Sequence, residues 1–200
     1  AGKITRFTLL QLVIATGQES RNRRLIQVGL DTFEKLKAKI PKDDLTLYYN
    51  VATGYQELYD FQLREDGANV FDCKATITSA LKYADRAPAT DPRVLTNLGN
   101  LYDEIGRPVE AIACYEQALA VDGNFGMALG NKAIAVETLA PIVRYPTGYY
   151  IYAHQLYQAA FAQKESILDV GGQAALEVFQ AHDRALAEWF TQRDQADKLN

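Results

Sequence analysis

The chain has 200 residues, of which 48% are hydrophobic and 23% are charged, so it can bury one sizeable core or a stack of small repeats. Its formal charge of −4 provides no long-range attraction to a phosphate backbone, so we expect no nucleic-acid partner. No apolar run approaches the roughly 18 residues needed to span a bilayer, and no signal-peptide pattern is present. We therefore expect a cytoplasmic protein without membrane contact.

The first two predicted elements are helical hairpins. Residues 3–40 begin with the apolar segment ITRFTLLQLVIAT, and their second helix carries the pattern Gly29-x3-Phe33-x2-Leu36. Residues 44–86 carry a fuller version of the same pattern. Its two helices contain Tyr48-x2-Val51-Ala52-x2-Tyr55 and Cys73-x3-Ile77-x2-Ala80. The N-terminal part of the chain thus predicts two divergent copies of one helical unit.

The third predicted hairpin, residues 91–122, is the most regular. Asp91 supplies an N-cap, Pro92 fits the first turn, and the turn Gly106-Arg107-Pro108 separates two amphipathic helices. The sequence Asp122-Gly123-Asn124 then ends the second helix. The two helices carry Leu95-x2-Leu98-Gly99-x2-Tyr102 and Ala111-x3-Tyr115-x2-Ala118.

This hairpin resembles the tetratricopeptide repeat (TPR) family, whose pattern is W-x2-L-G-x2-Y…A-x3-F. Two positions depart from the family: Leu95 replaces the tryptophan, and Gly123 stands where a proline is usual. The packing logic survives, because Gly99 and Ala111 are small where two helices cross and Tyr115 is large enough to fill the space between them.

A fourth predicted hairpin, residues 125–168, has Leu129-x2-Lys132-Ala133-x2-Val136 and then Ala153-x3-Tyr157-x2-Ala160. Lys132 is a poor fit at a position where a leucine is expected. After it, residues 173–198 predict a C-terminal capping helix, which a solenoid needs to cover its last apolar face. The resemblance therefore implies an all-α fold, a right-handed superhelical stack of about four TPR-like hairpins plus the capping helix, in a single domain, residues 1–200.

The resemblance also implies a partner-binding groove lined by the first helix of each hairpin. The sixth position of the family's repeat is asparagine in three successive units, namely Asn50, Asn97 and Asn131, and Asn100 lies one turn after Asn97. An asparagine amide both donates and accepts, so such a row suits the backbone of an extended peptide. The alternative is plain repeat consensus, since asparagine is common at this position in TPR repeats generally.

Chaperone-binding TPR proteins clamp a C-terminal carboxylate with basic residues on successive first helices. The matching positions here include Tyr49, Thr53 and Asn97, followed by Met127 and Asn131. Only Asn97 fits that clamp, so capture of a chaperone tail is disfavoured. We retain Tyr49 and Thr53, together with Asn50, Asn97, Asn100 and Asn131, as candidate groove residues.

The sequence contains no recognisable catalytic or metal-binding motif. It has no nucleotide-binding loop, no nucleophile elbow and no zinc-protease motif. Cys73 and Cys114 are far apart and are interpreted as compact hydrophobic residues in a reducing compartment. His154 and His182 are interpreted as surface or satisfied interfacial side chains. We expect no enzyme activity, no cofactor and no metal.

A narrower resemblance comes from VDGNFGMALGNKAIAVETLA, which follows LGNLYDEIGRPVEAIACYEQAL. These stretches are similar to the repeat region of bacterial TPR proteins that continue into a C-terminal HEPN-type ribonuclease domain. HEPN nucleases carry R-x4–6-H, and neither histidine has an arginine at that distance upstream. The chain also lacks an initiator methionine, which is compatible with a domain excised from a longer protein.

Two functions follow as hypotheses. The first is a non-enzymatic adaptor or sensor domain that binds a protein or an extended peptide in the TPR groove. The alternative is a regulatory module of a larger multidomain enzyme, a toxin- or defence-type ribonuclease, whose catalytic domain is absent from this chain. Either function is compatible with a chain that forms a homo-oligomer.

Overall fold

The computed structural model describes residues 6–41, 44–69, 73–86 and 90–199. These residues form α-helices with two short 3-10 helices, Lys37–Lys39 and Ala140–Ile142, and no β-strand lies among them. Residues 3–5 of the first predicted hairpin lie outside the described part. In chain order the α-helices are α1 (Arg6–Glu19), α2 (Arg23–Leu36), α3 (Leu45–Arg64), α4 (Lys74–Ala84), α5 (Pro92–Glu104), α6 (Pro108–Val121), α7 (Gly126–Leu139), α8 (Pro146–Ala162) and α9 (Lys164–Leu199).

The helices belong to two compact units. Unit 1 (Ala1–Ala89) contains α1 to α4, and unit 2 (Thr90–Asn200) contains α5 to α9. Within unit 1, α1 packs on α2 and α3 packs on α4; within unit 2, α5 packs on α6 and α7 packs on α8. These pairings confirm the predicted all-α fold of TPR-like hairpins. The single-domain interpretation of residues 1–200 stays a prediction.

Side-chain caps and prolines set the helix starts. The Asp91 carboxylate accepts a hydrogen bond from the Arg93 backbone N–H at 2.9 Å, and Pro92 is the first residue of α5, which confirms the predicted cap. Asn22 and Asp44 cap α2 and α3 in the same way. The structure also confirms the predicted turn between α5 and α6, where Gly106 has a φ of +74°. The boundaries of these helices are thus encoded locally.

The large residues that the repeat pattern places between paired helices are buried in all four pairs. Their exposed fractions are 0% for Phe33, 5% for Ile77, 1% for Tyr115 and 0% for Tyr157. The crossing in the α5/α6 pair is especially tight, because a Cβ atom on Gly99 would lie 2.8 Å from Tyr115 Cδ1. The structure confirms that a small residue is needed at position 99.

Unit 1 is built around a group of aromatic side chains. Phe33 on α2 makes edge-to-face contacts with Tyr48 and Tyr83, at ring-centroid distances of 6.0 and 5.0 Å. The carboxylate of Glu34 accepts hydrogen bonds from Tyr83 Oη at 2.6 Å and from Tyr55 Oη at 3.2 Å. One carboxylate therefore joins α2, α3 and α4.

The C-terminal helix differs in extent from the predicted capping helix. It begins at Lys164 rather than at residue 173, and it is interrupted at Gly172, whose φ of +67° is not helical. The segment after Gly172 packs against α7 and α8 through buried side chains that include Phe179 and Leu186. The glycine therefore separates a short first segment from the longer one that covers the core.

Two histidine–carboxylate pairs hold α9 in place. His154 Nδ1 lies 2.6 Å from Asp183 Oδ1, and His182 Nδ1 lies 3.0 Å from Glu137 Oε2. Glu137 Oε2 also accepts a hydrogen bond from Tyr157 Oη at 3.0 Å. These contacts confirm the interpretation of both histidines as satisfied interfacial residues.

Candidate functional site

The first candidate site is an open cavity of about 440 Å³ within unit 2, between α5, α6 and α7. Its volume falls in the range of protein sites that hold small ligands or single side chains. Three of the predicted groove positions belong to this unit, and two of them line the cavity. The lining residues are Asn100, Asp103, Glu104, Tyr115, Met127, Asn131, Ile134 and Thr138.

A hydrogen-bonded network orients the two asparagines in the cavity wall. Asn100 Oδ1 accepts hydrogen bonds from Asn131 Nδ2 at 2.8 Å and from Tyr115 Oη at 2.9 Å. Asn100 lies on α5, Tyr115 on α6 and Asn131 on α7, so the network ties three helices together. Among the described residues, no hydrogen bond uses Asn100 Nδ2 or Asn131 Oδ1, which leaves one donor group and one acceptor for a ligand.

Asn97 lies on α5, one turn before Asn100, and is half-buried. The structure thus brings Asn100 and Asn131 into direct contact and places Asn97 on the same helix as Asn100. That these three asparagines bind a partner stays a prediction.

The cavity is acidic, which the sequence analysis missed. Asp103 and Glu104 line it at the end of α5, and no lysine, arginine or histidine is among the described residues that line it. Burial raises the pKa of the Asp103 carboxyl above its usual value. Burial, and next the negative charge of Asp103, raise the pKa of the Tyr115 hydroxyl. The signal was available in the sequence, because residues three and four positions after Asn100 share its helix face.

The remaining groove candidates lie in unit 1. Asn50 lines a second open cavity of about 280 Å³, whose other lining residues all come from α1 and include the exposed Leu9 and Leu12. Tyr49 and Thr53 are half-buried on α3. Thr53 Oγ1 donates to the backbone carbonyl oxygens of Tyr49 at 3.1 Å and Asn50 at 3.2 Å, so its hydroxyl hydrogen serves its own helix. A continuous asparagine row through both units stays a prediction.

Lys132, the poor fit in the repeat pattern, is buried and paired. Its ammonium group donates to Tyr152 Oη at 2.9 Å and lies 3.2 Å from Glu116 Oε1. Burial acts to lower the pKa of Lys132, but the hydrogen bonds to Tyr152 and Glu116 outweigh it and raise that pKa. A lysine can therefore occupy this buried position, because its ammonium group has an ion-pair partner on α6 and a hydrogen-bond partner on α8.

Cys73 and Cys114 are both buried, at 1% and 7% exposure, and neither forms a disulfide in the described part of the chain. The described part of the chain contains no group of three or more histidine, cysteine, aspartate or glutamate residues that could hold a metal ion. None of its helices has both the length and the apolarity required to cross a bilayer.

Residues 92–125 match the sequence profile of the Tetratricopeptide repeat family. The chain therefore contains one segment that matches a tetratricopeptide repeat. The matched segment covers α5 and α6 together with Phe125, and it contains Gly99, Tyr115 and the cavity residue Asn100. No curated protein sequence is significantly similar to the chain.

Two solved structures share the fold of the chain. A thermophilic TPR protein of Thermus thermophilus superposes with a TM-score of 0.60 at 18% sequence identity, covering 90% of this chain and 82% of the other. A structure of MamA protein superposes with a TM-score of 0.58 at 11% identity and covers 94% of each chain. At these identities the likeness establishes the fold alone. TPR repeats generally serve as scaffolds for protein interactions.

Proposed function

We propose that this TPR chain is a non-enzymatic adaptor or sensor domain that binds an extended protein segment at the unit 2 cavity. The observation that carries the proposal is the Asn100–Asn131 hydrogen bond in the wall of that cavity. Because Tyr115 fixes the same Asn100 oxygen, the remaining donors and acceptors of the two amides are held in place before a ligand arrives. Such preorganisation reduces the entropy lost on binding.

The asparagines orient the segment rather than supply most of the affinity. A net hydrogen bond contributes about 0.5–1.5 kcal/mol, whereas micromolar binding requires about 8 kcal/mol. Met127 and Ile134 in the same wall offer apolar contact area to the bound segment. Together with Asn97 on α5, these residues form the proposed unit 2 site. Asn50, Tyr49 and Thr53 are proposed to contact the partner in unit 1.

The test is the double substitution Asn97→Ala and Asn131→Ala in the 200-residue chain. Peptides selected on the unaltered chain from a displayed random library would serve as ligands. We expect the double variant to bind them at least about tenfold more weakly, because two side-chain hydrogen bonds are lost. Circular dichroism would confirm that helicity is retained. Asn124→Ala, in the exposed turn before α7, is the matched control.

An unchanged affinity in the double variant, with the same helicity, would contradict the proposed site. Failure to select any peptide would contradict the peptide-binding function itself. The alternative of a regulatory module in a larger ribonuclease stays a prediction. Its discriminating measurement is the mass of the native polypeptide, which must extend well past residue 200.

A further inference from the structure

The unit 2 cavity combines a negative end with an apolar wall. Asp103 and Glu104 lie where α5 ends, while Met127 and Ile134 come from α7. Among the described residues the Asp103 carboxylate takes part in no hydrogen bond or ion pair, although it is partly buried. Burial disfavours the charged form of this carboxylate, so a cation that entered the cavity would stabilise it.

The position of these acids on the helix strengthens the argument. The C-terminal end of an α-helix carries a partial negative charge and favours cations in its last turn. The last turn of α5 contains no basic residue, and it ends in Asp103 and Glu104 instead. The Asp103 carboxylate goes against this preference and makes no hydrogen bond or ion pair among the described residues, and residues of this kind are concentrated at functional sites. A cation in the cavity would be attracted both by the Asp103 carboxylate and by the partial negative charge at the C-terminal end of α5.

We propose that this cavity takes a lysine or arginine side chain from the bound segment, with the Asp103 carboxylate as its charge partner. The inference rests on the proposed function and names the chemistry of its ligand. The aliphatic stem of the incoming residue packs along Met127 and Ile134, as long basic side chains do on apolar surfaces. Asn131 Oδ1 accepts one further hydrogen bond from the cationic head.

The site suits an organic cation better than a metal ion. Calcium takes six to eight oxygen ligands and usually several carboxylates. Only two acidic residues line the cavity, and in the described part of the chain they are not joined by a third acidic, histidine or cysteine ligand. An acidic partner, or a C-terminal carboxylate, would meet repulsion at the same place. The charge therefore selects a basic segment.

The experiment is a double-mutant cycle on the complete chain. Peptides are selected from a displayed random library, and the binding of one selected peptide is measured by fluorescence polarisation with its central lysine intact or replaced by norleucine. Each peptide is measured with the unaltered chain and with Asp103→Asn. A charge-assisted contact contributes enough that each single change is expected to weaken binding about tenfold.

The two changes together are also expected to weaken binding about tenfold rather than a hundredfold, because both remove the same interaction. Raising the ionic strength should reduce the affinity of the lysine peptide more than that of the norleucine peptide. Asp169→Asn, on the exposed surface of α9, is the matched control for a lost negative charge in the same unit, and we expect it to leave both affinities unchanged.

Enrichment of peptides without lysine or arginine would overturn the inference, as would an equal loss of affinity for both peptides in Asp103→Asn. Those outcomes leave the proposed function intact if the Asn97→Ala, Asn131→Ala chain still loses affinity. If no peptide is selected, or if that asparagine variant binds normally, the proposed function fails and this inference fails with it.

Discussion

In unit 1, Glu34 on α2 accepts hydrogen bonds from two tyrosines, one on α3 and one on α4. In unit 2, Glu137 on α7 accepts a hydrogen bond from Tyr157 on α8 and pairs with His182 on α9. Each unit therefore uses one glutamate to join three consecutive helices. Neither glutamate belongs to the repeat motif, so the contacts between hairpins are specified separately from the hairpins themselves.

The exposed cavities of the two units differ more than their cores. The unit 1 cavity is lined by α1 side chains, including Leu9 and Leu12, together with Asn50. The unit 2 cavity contains Asp103 and a hydrogen-bonded asparagine pair. One type of helical hairpin can therefore present an apolar surface in one unit and an acidic one in the other, because side chains that line an open cavity are not constrained by core packing.

The largest expected effect tests the tight crossing in unit 2. Unit 1 has Ala52 where unit 2 has Gly99, and its opposing residue is Ile77 instead of Tyr115. Gly99→Ala should lower the free energy of unfolding by about 1–2 kcal/mol, because overpacking costs about 1–3 kcal/mol and better helix propensity returns up to about 1. Urea unfolding followed by circular dichroism measures the change.

Gly123→Ala is the control for that substitution. A Cβ atom there would meet only the Leu119 carbonyl oxygen, at 3.7 Å, so we expect a change within about 0.5 kcal/mol. If Gly99→Ala and Gly123→Ala lowered the free energy of unfolding equally, the α5/α6 crossing would be no more tightly packed than the turn after α6.

A smaller effect is expected from the two glutamates. Glu34→Gln and Glu137→Gln each replace a charged acceptor by a neutral amide, and we expect each to cost about 1 kcal/mol. Because the two glutamates lie in different units, hydrogen exchange measured by mass spectrometry is used here, since it shows which helices open.

Glu34→Gln should speed exchange in α2 to α4, and Glu137→Gln should do so in α7 to α9. Each variant serves as the control for the other. If either substitution accelerated exchange equally in all of these helices, the two units would be shown to open together, and the comparison would lose its basis.

The smallest expected effect concerns pH. Although burial alone would raise the pKa of Glu34, hydrogen bonds from Lys37, Tyr83 and Tyr55 outweigh it and hold the pKa below the usual value of 4.5. Because the folded-state pKa is the lower one, the carboxylate stabilises the fold above pH 4.5, and this contribution is lost as the pH falls through the folded-state pKa. The difference in unfolding free energy between the unaltered chain and Glu34→Gln should therefore shrink below pH 4.5.

Urea unfolding at about pH 7 and at about pH 3.5 measures this difference. Glu188→Gln, on the exposed surface of α9, also removes one negative charge and is the matched control. A constant difference for Glu34→Gln across this range would contradict the role assigned to the carboxylate.

Much of the fold could be predicted because its signals are local. The cap at Asp91, the turn at Gly106 and the pairing of Gly99 with Tyr115 all lie within one short repeat. The same reasoning selected Asn100 and Asn131 as candidate groove residues, which stays a prediction, and it did not predict that they bond to each other. Their contact depends on how α7 packs against α5, which no local pattern specifies.

The sequence by itself determined the all-α class, the helical hairpins and the small and large residues at each crossing, because helix periodicity and turn chemistry act over a few residues. Tertiary structure decided the rest. It gave Lys132 its partners, placed Glu137 between three helices, and left Asp103 without a partner among the described residues at the edge of a cavity. These outcomes depend on the approach of side chains from separate helices, which is set by packing across the whole unit.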